Sequence, residues 1–142
     1  MSAQTVQFRI KVLRPPPGVA FSLQRKKDEL VDVVMSNGSD LVFEWDMTAE
    51  RAEGDAVRLL GPFSQGPPSA RFVYLCIGKS AGQWGSPWTR RVKVPLAGVT
   101  WPLVEEALKM AGSVIEAAYE GTAKDGSPAC ATVKLTTEWR LA

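Results

Sequence analysis

Val6, Phe8, Ile10 and Val12 alternate with Gln7, Arg9 and Lys11. A period of two places successive side chains on opposite faces of an extended backbone, so this run reads as a strand with one buried and one wet face. The pattern returns in short stretches along most of the chain. Phe21 and Leu23 alternate with Ser22 and Gln24, and Val92, Val94 and Leu96 with Arg91 and Lys93. Leu41, Phe43, Trp45 and Met47 share one face while Glu44 and Asp46 take the other. Arg71 to Ile77 is apolar on both faces, as suits a strand covered on both sides. Proline cannot donate to a ladder, so Pro15-Pro16-Pro17-Gly18 and Gly61-Pro62 end the runs before them. Asn37-Gly38 lies between Leu30–Met35 and Leu41–Met47, and Asp125-Gly126 between Val114–Tyr119 and Ala129–Leu135. Both dipeptides predict hairpins. Thr48 to Asp55 reads as a polar loop or short helical turn, and Ala56 to Leu60 as a weak strand.

One segment, Trp101 to about Ala111, carries helix signals. Thr100 is a candidate N-cap, Pro102 sits in the first turn where its missing N–H costs nothing, and Gly112 stops the end. Val104, Ala107, Leu108 and Ala111 form its apolar stripe. The expectation is one all-β or β-dominated α+β domain over residues 1–142, with eight or nine strands. They would form a curled antiparallel sheet or small β-barrel, with the helix plugging one end or packing on one face. At 142 residues such a domain buries a core without disulfide or metal staples.

The chain contains no histidine, which removes the commonest general base, the commonest metal ligand and every Ser-His or Cys-His nucleophile. Ser64, Ser80 and Ser86 therefore lack an activating base. No glycine-rich phosphate loop, dinucleotide fingerprint or Cys/His metal spacing is present, so no cofactor and no metal is expected. Seventeen basic against fifteen acidic residues leave a net charge of +2, too little to argue for nucleic acid. No window approaches the roughly 20 apolar residues of a membrane span. The start lacks a basic and apolar leader. Cys76 and Cys130 each lie in a strand-like run and read as buried free thiols, since a disulfide would need an oxidising compartment. These readings place the protein in the cytoplasm. For catalysis only Glu44 and Asp46 offer a carboxylate pair, at i and i+2 on one strand face. A solvated outer face explains them equally.

The charge distribution is uneven. Between Asp55 and Glu105 there is no acidic residue, yet Arg58, Arg71, Lys79, Arg90, Arg91 and Lys93 fall inside that window. It also holds two long loops rich in small and amide residues, around Gln65 and around Gln83, with Trp84 and Trp88. Backbone N–H groups at glycines, neutral amides and a tryptophan wall suit a small polar ligand, and arginine can grip a carboxylate or phosphate. The candidate binding set is Arg71, Arg90 and Gln83, with Gln65 and Trp88 lining it. If the strands at Arg71–Ile77 and Arg90–Leu96 form a hairpin across residues 79–89, its open ends put both arginines beside that loop. The same residues also suit plain turns and packing anchors. Three functions stay open: a domain binding a polar or anionic small molecule, an enzyme using carboxylate acid–base chemistry on the same scaffold, and a protein-interaction module.

Gly61-Pro62-Phe63, Gln65-Gly66-Pro67, Arg71-Phe72-Val73-Tyr74, Ile77-Gly78, Ala81-Gly82-Gln83, Trp88, Arg90-Arg91, Lys93-Val94-Pro95-Leu96, Gly98 and Trp101 form a fairly specific string. With it the chain resembles an uncharacterised family of small bacterial proteins, a domain of unknown function. Gly18, Phe21 and Leu41-Val42-Phe43 extend the resemblance toward the start. It implies a domain spanning most of the chain and no particular activity.

By the parity of Val92, Arg90 belongs to the inward face and Arg91 to the outward face. A buried, unpaired cation costs several kcal/mol, so an inward Arg90 needs Glu44, Asp46 or a ligand anion. Native mass spectrometry should then show Arg90→Ala losing an anionic ligand that Arg91→Ala retains. Equal retention by both variants would remove Arg90 from the site.

Overall fold

In the computed structural model the described residues are 4–26, 29–60, 72–78, 90–110, 112–123 and 131–142. They form nine strands and one helix: β1 (Gln4–Leu13), β2 (Ala20–Lys26), β3 (Glu29–Met35), β4 (Leu41–Arg51), β5 (Val57–Leu60), β6 (Phe72–Gly78), β7 (Arg90–Pro95), α1 (Trp101–Lys109), β8 (Ile115–Ala123) and β9 (Ala131–Leu141). Five strands pair in the order β5-β4-β1-β8-β9 and four in the order β3-β2-β6-β7. Every pairing is antiparallel except that of β1 with β8. The β-dominated, strongly curled architecture matches the expectation from periodicity. Among the described residues no helix is long and apolar enough to cross a membrane.

Alternation decides which face turns inward. Val6, Phe8, Ile10 and Val12 of β1 are buried, as are Phe43, Trp45 and Met47 of β4. Register aligns Trp45, Phe8 and Ile115 in one row across the larger sheet. In the smaller sheet Val34, Phe21 and Ile77 make the corresponding row. Residues of both rows join one apolar core. The helix lies against β1, β8 and β9, with Val104 and Ala107 buried. Its first N–H, on Trp101, donates to the Asp55 carbonyl at 2.9 Å.

Several local expectations are corrected. Asn37-Gly38 does not close a hairpin, because β3 pairs with β2 and β4 pairs with β1 in the other sheet. The turn chemistry serves a corner between sheets instead. Ser39 N–H donates to Asn37 Oδ1 at 3.0 Å, and Gly38, at φ +96°, donates to Ser36 Oγ at 3.2 Å. A second corner, residues 14–19, carries the chain from β1 to β2 alongside it. Gly18 N–H bonds Ser36 O at 2.9 Å, Ser36 N–H bonds Val19 O at 2.7 Å, and Arg14 N–H bonds Asp40 Oδ1 at 2.9 Å. Part of the polar 48–55 segment is strand, since β4 runs on to Arg51 and pairs with β5. The helix ends at Lys109 rather than Ala111, Thr100 makes no side-chain cap, and Leu108 is exposed. The hairpins expected between β6 and β7 and between β8 and β9 are both present.

Gly121 in β8 meets the proline corner closely. A Cβ built there would lie 2.7 Å from Pro15 Cα and 3.0 Å from Pro16 Cδ, against backbone and ring atoms that have little room to yield. Gly121→Ala should therefore destabilise the protein by about 1–3 kcal/mol, the usual cost of overpacking. Thermal unfolding reads this directly. An unchanged melting temperature would mean that the corner moves aside freely.

Candidate functional site

The outer face of the five-stranded sheet carries charges in register. Arg9 stands opposite Glu44 on one side and Glu116 on the other, and Glu116 stands opposite Arg140. Arg9 donates to both carboxylates at 3.0 Å. Its hydrogen bonds to the Glu116 and Glu44 carboxylates raise the guanidinium pKa further above its already high value. Asp46 is exposed opposite Gln7. Glu44 and Asp46 thus belong to a charged strand face open to water, and Glu44 is held by an arginine.

The basic-loop set is only partly visible. Gln65, Arg71, Gln83 and Trp88 lie outside the described residues. Arg90 contributes backbone to β7 opposite Ile77, and its side chain is outside them too. The same register puts Phe72 opposite Pro95. Five residue steps separate Phe72 from Ile77, about 17 Å of strand. The end of β6 that follows Arg71 therefore lies beside Pro95, at the other end of the β6–β7 pair from the Arg90 backbone. Cys76 is a buried free thiol, as expected, whereas Cys130 lies outside the described residues. Burial pushes the Cys76 pKa up, and the nearby Arg91 offsets only part of that rise.

A cleft of about 220 Å³ opens where β7, the edge of one sheet, approaches β9, the edge of the other. Pro95 and the turn at Ala97-Gly98 form one side, and Ala117, Tyr119, Leu135, Glu138 and Trp139 the other. Two irregularities in β9 build it. Tyr119 pairs with Leu135, Ala118 with Thr137 and Glu116 with Arg140, so β9 holds an extra residue in each interval. Such bulges set two residues against one and re-aim side chains. At the first, Thr136 Oγ1 donates to the Ala118 carbonyl at 3.0 Å. At the second, Glu138 and Trp139 together face the single small residue Ala117, and all three line the cleft.

Trp139 closes one end. Its Nε1–H donates to the Pro95 carbonyl at 2.8 Å, joining the two sheets, and its ring meets Phe8 edge-on at 5.5 Å. Tyr119 is only 4% exposed, and its hydroxyl bonds no described residue. Burial pushes its pKa above the usual tyrosine value. Leu135 is 43% exposed although its partner in register is buried, because the cleft leaves it uncovered. Sequence reasoning missed this group. Strict alternation from Leu135 puts Thr137 on the inner face and Glu138 outside, and nothing local announces the bulges.

With this geometry in place, comparison with known proteins decides the family. The chain belongs to a family of unknown function, DUF5990. The match runs from residue 6 to residue 142, nearly the whole chain, in keeping with the resemblance carried by the central motifs. Neither the curated proteins nor the solved structures contain a match. Membership in DUF5990 assigns no activity, so the cleft has to be judged on its own chemistry.

Tyr119 supplies a test of that environment. Its folded pKa lies above the unfolded value of about 10. The associated stability is complete below that pH and is lost as pH rises through the raised value. Tyr119→Phe should be nearly neutral at pH 7, within about 0.5 kcal/mol, since no hydrogen bond is lost. Between pH 9 and 11 the wild type should lose more thermal stability than the variant. Equal losses would mean that Tyr119 ionises as readily folded as unfolded.

Proposed function

We propose that this chain is a cytoplasmic β-domain that binds a small polar molecule, and that the cleft between β7 and β9 holds it. The observation that carries the reading is Tyr119. Its side chain is nine-tenths buried, yet its hydroxyl oxygen still reaches the open cleft, where a polar group can meet it. Here it has no described partner and lines an open cleft, so a ligand group can complete it. Ala117, Leu135, Pro95 and Trp139 surround it with mostly apolar surface, the usual composition of a small-molecule site. At about 220 Å³ the cleft is smaller than the roughly 300–1,000 Å³ of drug-sized pockets, which favours a compact ligand. The free thiol at Cys76 suits a reducing compartment.

An anionic ligand at the basic loops is the second reading. It is favoured by the acid-free window from residue 56 to 104 and by the β6–β7 hairpin that joins its two halves. It rests on other residues and is tested by the Arg90 and Arg91 variants.

Indole is a fitting neutral probe for the cleft. Saturation-transfer NMR should detect saturable binding to the wild type. Leu135→Ser removes about 1 kcal/mol of apolar contact and should weaken binding roughly fivefold. Leu108→Ser, an equally exposed site on α1, should leave it unchanged. Indistinguishable titrations for the wild type and Leu135→Ser would remove the cleft as the site.

A further inference from the structure

The charges and donors around the cleft are unbalanced. Glu138 is the one ionised side chain among the described residues lining it, and its carboxylate makes no ion pair with a described residue. The cations nearest in sequence are placed elsewhere by register. Lys134 stands opposite Glu120 and Arg140 opposite Glu116, on the outer face. The Trp139 indole N–H is already committed to the Pro95 carbonyl, leaving its ring as contact surface. Pro95 itself has no N–H to offer. What remains is a free carboxylate, a buried phenol that can accept a hydrogen bond, and an aromatic ring whose π face attracts cations.

An anion entering this cleft would face Glu138 without a compensating cation among the described lining residues. A neutral apolar molecule would leave the Tyr119 hydroxyl unpaired. A protonated amine meets both needs: its charge faces Glu138, its N–H groups can reach an acceptor oxygen, and an attached ring covers Leu135 and Ala117. We infer that the cleft selects small aromatic amines, with Glu138 as the specificity-determining residue and Tyr119 as the buried hydrogen-bonding partner. This inference rests on the proposal that the cleft is a ligand site.

Three probes sharing one indole body separate the two claims: tryptamine, indole-3-propionate and unsubstituted indole, each titrated against the full chain by NMR. Tryptamine should bind about threefold more tightly than indole-3-propionate, the scale of an ion pair at a solvent-accessible rim. High salt should narrow the gap. Glu138→Gln, at an exposed and unpaired position, should remove the gap while indole binds as before. Glu53→Gln, which removes an exposed acid from the β4–β5 turn, should preserve it. Equal binding of the two charged probes, or a preference that survives Glu138→Gln, would overturn the amine inference and leave the cleft standing. Failure of all three probes to bind saturably would overturn both.

Discussion

Phe8 is the centre on which this molecule is organised. It lies on the middle strand of the larger sheet, fully buried, stacked on Trp45 at 5.8 Å and met edge-on by Trp139 at 5.5 Å. Truncating a buried phenylalanine typically costs about 3–5 kcal/mol, against a total stability of about 5–15 kcal/mol for an ordinary domain. Through Trp139 the same cluster reaches the second sheet, because the indole N–H bonds the Pro95 carbonyl. The cleft depends on that link. Without Trp139 held across the seam, the edges of β7 and β9 would have no shared wall.

The two faces of β8 and β9 divide the electrostatic work. On the outer face, carboxylates and cations alternate across strands, and Arg9 bridges two acids in partial exposure. Such pairs contribute modestly to stability, each on the order of 0–1 kcal/mol. At the cleft, Glu138 and the Tyr119 hydroxyl stand without partners among the described residues, beside apolar walls. An outer carboxylate such as Glu44 is neutralised by its neighbour in register, whereas Glu138 has been displaced from that ladder by a bulge.

Much of the fold was legible because burial imposes a period of two. The inward residues of β1 and β4, the covered strand β6 and the β6–β7 and β8–β9 hairpins all follow from local alternation and turn chemistry. The helix followed from Pro102 and Gly112, although it ends at Lys109 and leaves Leu108 of the expected apolar stripe exposed. Asn37-Gly38 shows the limit of such reading. The dipeptide specifies a reversal of the chain, but not which strands pair on either side of it. Pairing was settled by β1, which takes β4 and β8 as neighbours and leaves β3 to β2.

From its residues alone the chain determined its class: many short half-buried strands, one helix, no histidine chemistry and a strongly uneven distribution of charge. These are properties of composition and nearest-neighbour spacing, and they survive any arrangement of strands. The candidate cleft belongs to tertiary structure. It arises where two sheet edges meet, from residues between 95 and 139 in the chain, and from two extra residues in β9 that bring Glu138 to the cleft. A bulge is a mismatch between two strands, so it exists only once β9 has a partner in β8. No single strand read by itself contains that information.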